Sequence, residues 1–153
     1  MSQNYEDFLF SKQFRVILQS CFPTYDQIDV LDAQKINFGL SNVIFKVVIN
    51  CKLATRIEEK NLIAKFYLGS NSLIRMSKEF SILEFLYENL ILVPKPFIMQ
   101  RVDSFEFVIM DYISDQSMDR ILGRITPEER IPYFVNMIDT INKLHHISLP
   151  EIQ

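Results

Sequence analysis

Lys65 is the first residue whose setting asks for chemistry. It stands between Ile63 and Tyr67 in LIAKFY, an apolar run that reads as a strand. A lysine there must either snorkel to water or meet an anion. Glu79 has the mirror problem. Met76, Ile82 and Leu83 lie three and four residues from it on a helical pattern, so its carboxylate sits at the edge of an apolar stripe. Isolation there is costly. If the strand and the helix share an interface, the ammonium and the carboxylate solve each other's problem. If they do not, both are solvated edge residues. His145-His146 is the third candidate. Adjacent helical residues point about 100° apart, so the two rings cannot chelate as an i, i+4 pair would. A helix-end role is the expectation, with no metal.

Composition removes other chemistries. The 153 residues carry 16 Lys+Arg and 19 Asp+Glu, a net charge of −3. That balance argues against an electrostatic nucleic-acid or membrane partner. With 48% hydrophobic and 23% charged residues the chain is not a disordered one. Its three glycines, Gly39, Gly69 and Gly123, exclude GxGxxG and the Walker A loop. Cys21 and Cys51 lack metal-ligand spacing and read as small buried hydrophobes in a reducing compartment. The acids in MSQNYEDFLF argue against a signal peptide, and no apolar run reaches the ~18–20 residues of a membrane span. A cytoplasmic location is the expectation.

The elements that must position these residues follow from periodicity. Phe10, Phe14, Ile17, Leu18 and Cys21 fall at helical spacing, and Pro23 stops that helix, placed at 3–21. Three strand-like runs follow: Ile28–Phe38, Val43–Ile49 and Leu62–Tyr67, with Cys51–Asn61 as a polar turn. Leu73, Met76, Phe80, Leu83, Tyr87 and Leu90 then make one stripe of a helix from about Ser72 to Asn89. Pro94 and Pro96 break the chain. Phe97–Val102 and Phe105–Ile113 read as a strand pair around Asp103-Ser104. After the polar stretch SDQSMD, Thr126-Pro-Glu-Glu opens a last helix as N-cap, first-turn proline and first-turn acids. The expected fold is α+β: a five-stranded antiparallel sheet with one long packed helix, residues 1–113, followed by a helical segment, 114–153.

In that order the residues reach a resemblance. Gly39-Leu40-Ser41-Asn42 precedes VIFKV. Ala64-Lys65-Phe66, Lys78-Glu79-Phe80, Val93-Pro94-Lys95-Pro96, FVIMDYI and Leu144-His145 follow. From about Lys35 onward the chain resembles the N-terminal lobe of the aminoglycoside phosphotransferase and choline kinase family, which has a protein-kinase-like fold. The resemblance implies an ATP-binding lobe of a small-molecule kinase. Gly39, Ser41 and Asn42 would belong to the turn that covers the nucleotide. Lys65 would contact the α/β-phosphates and Glu79 would hold its ammonium. Met110 would line the back of the adenine pocket, and Asp111 and Ile113 would offer backbone groups to the base. Met110-Asp111-Tyr112 also reads as ordinary core strand, and Tyr112 as packing.

The family's transfer chemistry needs His-x-Asp, a following Asn and a later metal-binding Asp. Ile147 and Ser148 stand where that Asp would follow His145 or His146. The expectation is therefore the nucleotide half of a longer kinase, magnesium and the small hydroxylated acceptor belonging to the full-length form. The alternative is a kinase-fold module kept for binding or regulation. Ile131, Phe134, Val135, Ile138, Ile141 and Leu144 share one face of the last helix. They are too apolar to leave wet, so that helix, 126–146, is expected to dimerise, to fold back on the sheet or to hinder solubility.

Overall fold

The computed structural model describes residues 4–36, 42–89, 91–113 and 123–146. The N-terminal segment forms two helices, not one: α1, Tyr5–Leu9, and α2, Lys12–Cys21. The break lies at Ser11. Its extended backbone starts a new helix, and its hydroxyl accepts the Phe14 N–H at 3.1 Å. Phe10, placed in the stripe by spacing, is thereby turned outward.

The sheet has five antiparallel strands: β1 Gln27–Lys35, β2 Asn42–Leu53, β3 Arg56–Tyr67, β4 Pro96–Val102 and β5 Phe105–Asp111. Their spatial order is β1-β2-β3-β5-β4. β1 carries a register shift between Val30 and Asp32, and the expected strand end at Phe38 lies outside the described residues. β5 ends at Asp111, two residues short of the expected Ile113.

The expected polar turn Cys51–Asn61 is absent. β2 and β3 run through it as a long hairpin, closed by Leu53 opposite Arg56. A two-residue loop of this kind needs positive φ, and Ala54 adopts +49°. Asp26 steadies it by accepting the Ala54 N–H at 2.7 Å. At the far end of β3, Gly69 takes a φ of +90° and starts the turn into α3, Ser72–Glu88. That conformation suits glycine.

The two faces of the sheet are unequal. Phe45, Val47, Leu62, Ala64, Phe66, Phe107 and Ile109 point to the face covered by α1 and α2, where they meet Phe8, Leu9, Phe14, Ile17 and Leu18. This is the main core. α3 lies over β3, β5 and β4 on the other face, where the buried cluster is smaller: Tyr67, Met76, Val108 and Met110. The α3 stripe is therefore only partly covered. Met76 is buried and Phe80 and Leu83 partly so, but Leu73 and Tyr87 are 42% and 43% exposed. Both ends of the helix overhang the cluster it covers.

Cys51 is buried, as expected. Cys21 is only half-buried, and burial still pushes its thiol up to about 11. The last helix, α4, Pro127–His146, has its expected start. The Thr126 hydroxyl accepts the Glu129 N–H at 3.4 Å, and the Glu129 carboxylate accepts the Thr126 N–H at 2.8 Å. No α4 side chain is buried. The six apolar residues of its expected face are exposed, so α4 does not fold back on the sheet. Among the described residues no helix is long and apolar enough to cross a membrane.

Candidate functional site

Period-2 geometry puts Ile63, Lys65 and Tyr67 of β3 on the α3 face. The register carries that face across the neighbouring strands. Ile44 lies opposite Lys65 on β2, and Val108 and Met110 lie opposite Lys65 and Ile63 on β5. Glu79 reaches the same place from one turn past Met76, the residue that anchors α3.

Lys65 and Glu79 meet, which is the first of the two alternatives their spacing leaves open. The ammonium lies 2.5 and 2.6 Å from the two carboxylate oxygens. The side chains are 15% and 37% exposed, so the ammonium is largely withdrawn from water while the carboxylate keeps part of its hydration. A lysine held this way is oriented without being fully neutralised in place. Its remaining donor valence can take an anion arriving along the sheet. The ammonium also lies 5.0 Å from the centroid of the Tyr67 ring.

The remaining expected residues are placed unevenly. Gly39 and Ser41 lie outside the described residues. Asn42 opens β2 opposite Tyr67, and its Oδ1 is buried without a hydrogen-bond partner. Met110 is buried against α3. The Asp111 N–H donates to the Lys95 carbonyl at 2.9 Å, and the Tyr112 N–H to the Asn61 carbonyl at 3.2 Å. Ile113 follows β5 and is half exposed.

Burial raises the Asp111 carboxyl above the usual carboxylate range, with Lys95 and Lys60 opposing it. A carboxyl whose folded pKa is raised disfavours the fold once it ionises, so stability falls as pH rises through the ordinary aspartate range up to the folded value. Asp111→Asn is expected to remove that dependence and to leave neutral-pH stability unchanged or higher. Urea midpoints at pH 4 and pH 7 check it; a variant that is less stable at pH 7 with the same slope would contradict it.

One contact escaped the sequence. Lys46 of β2 stands 4.7 Å over the Tyr112 ring, so Tyr112 is a cation–π partner and not simple packing. Tyr67 is buried on the face of Lys65, as the two-residue strand spacing of Ile63, Lys65 and Tyr67 implies. His146 donates its Nδ1–H to the Asn142 carbonyl at 2.6 Å, one turn back, as a helix-end residue does. Among the described residues no group of three or more His, Cys, Asp or Glu could hold a metal ion.

What the face offers is an oriented cation beside an apolar strip, Ile44, Ile63 and Met110, with backbone groups at the end of β5. Comparison of the chain with family models, with curated proteins and with solved structures gives no match in any of the three.

Proposed function

We propose that residues 1–113 are the nucleotide-binding lobe of a small-molecule kinase, similar to that of the aminoglycoside phosphotransferase and choline kinase family. The observation that carries the reading is the Lys65–Glu79 pair, formed between the third strand and the helix that follows it. In this reading Lys65 holds the α/β-phosphates of ATP and Glu79 fixes the ammonium against the sheet. Ile44, Ile63 and Met110 take the base, and the end of β5 faces its edge. Magnesium would arrive on the phosphates, because the described residues offer it no ligand cluster. Transfer to a hydroxyl of a small acceptor would require the catalytic Asp, the Asn and the metal-binding Asp that the family's motif order places after the Leu144-His145 helix end.

The lobe supplies one wall of a site that lies between two, so its own affinity is low. Titration calorimetry with magnesium and ATP is expected to give a millimolar Kd, about −4 kcal/mol, lost on Lys65→Ala. No heat at millimolar nucleotide would sink the reading. So would a micromolar affinity that survives Lys65→Ala.

A further inference from the structure

Among the described residues nothing buries an α4 side chain. Ile131, Phe134, Ile138 and Ile141 are 60%, 42%, 53% and 41% exposed. They stand three, four and three residues apart, which is the 3.5-residue period of a seam between two helices. Val135 and Leu144 widen the stripe on its flanks. Apolar side chains of this size gain by leaving water, and a stripe that runs the length of a helix marks an association face.

The charges at the two ends of α4 say what covers it. The first turn holds Glu128 and Glu129, and the last turn holds Lys143, His145 and His146. Arg130 is the cation at the acidic end, and it is turned back on its own chain. Its Nε and Nη2 donate to the Ile125 carbonyl at 3.4 and 3.3 Å. A parallel neighbour of the same sequence would set acids beside acids. An antiparallel one sets each acidic turn beside the other copy's basic turn, with the two helix dipoles opposed. The seam suits the same arrangement. About a two-fold axis near Asn136, Ile131 of one copy faces Ile141 of the other and Phe134 faces Ile138. The layers close without a polar residue among them.

We propose that α4 is a dimerisation element, pairing antiparallel with α4 of a second copy through Ile131, Phe134, Ile138 and Ile141. The surface is separate from the Lys65–Glu79 face, so the pairing stands or falls independently of the nucleotide reading. Helices of a longer chain are the other occupant such a face could have. They would leave the 153-residue chain as a monomer or as an aggregate of no fixed size.

Light scattering on the purified 153-residue chain is expected to give the mass of a dimer. Ile138→Glu is expected to weaken association about a hundredfold or more, because the charge enters the seam from both copies. Ile138 covers nothing within its own chain, so the variant should keep its circular dichroism and a cooperative unfolding transition. A wild-type monomer, an aggregate of no fixed size, or a dimer that persists in Ile138→Glu overturns the proposal. Chemical linking reads the orientation. Cys51 is buried, so a Cys21→Ala background leaves an introduced thiol as the reactive one. Met137→Cys, next to the axis, is expected to link to itself through a short bismaleimide. Glu128→Cys is not, because the two Glu128 positions of an antiparallel pair lie about 21 Å apart along it. In a mixed sample it is expected to link to Asn142→Cys instead. Self-linking of Glu128→Cys, or its failure to link to Asn142→Cys, would overturn the antiparallel assignment.

Discussion

Deletion of residues 1–22 is expected to abolish the cooperative unfolding transition. α1 and α2 bring Phe8, Leu9, Phe14, Ile17 and Leu18 into the main core, and Phe22 follows at its margin. Each such side chain is worth roughly 1.5–3 kcal/mol when buried. The deletion also uncovers Phe45, Phe66 and Phe107 on the sheet. The combined loss exceeds the ~5–15 kcal/mol that holds an ordinary domain together. Urea unfolding followed by circular dichroism, with a dye that reports exposed apolar surface, checks it. A sigmoidal transition at the original midpoint would show that the N-terminal helices are accessory and that the core has been placed on the wrong face.

The second large effect concerns one ring within that core. Phe66 is 1% exposed and central to the aromatic cluster. Its centroid lies 5.0 Å from Tyr5, 5.4 Å from Phe107, 5.8 Å from Phe105 and 6.1 Å from Phe8 and Phe45. Phe66→Ala removes the packing of all five and leaves a cavity that the two-sided enclosure cannot close. The expected cost is about 3–5 kcal/mol. Tyr87→Ala, at the overhanging end of α3, should cost less than about 1 kcal/mol. Denaturant midpoints at unchanged slope give both numbers. Equal losses at the two positions would mean that α3 shares the core equally with α1 and α2.

The α+β class, the antiparallel pairing and the start of α4 were readable because each rests on a local signal. Thr126-Pro127-Glu128-Glu129 is a capping sequence, and it caps. The β4–β5 turn at Asp103-Ser104 was readable for the same reason; Asp103 takes the positive φ that aspartate tolerates. The β2–β3 turn was not. Ala54-Thr55 carries no Asn-Gly or Asp-Gly signature, and the charged residues between Cys51 and Asn61 imitate a loop. Those charges are accommodated along the hairpin, where Lys60 and the Tyr25 hydroxyl both hold Glu58. The unequal faces were also hidden, because periodicity marks a face as apolar but not which partner covers it. Of the site, Lys65 and Glu79 were legible as two charges without an evident partner, each on an apolar pattern.

The open sheet ends on β1 and β4, and each edge is built against strand addition. β1 is bent by its register shift at Leu31, and Asp29, Asp32 and Lys35 stud its length. β4 begins at Pro96, which has no N–H to offer, and carries Arg101 near its other end. A flat, evenly spaced row of free amides and carbonyls is what a passing extended chain needs for a template. Neither edge provides it. The charges and the bend cost some pairing regularity within the lobe. In return, copies of this sheet crowded together in a cell are kept from stacking edge to edge into a continuous ribbon.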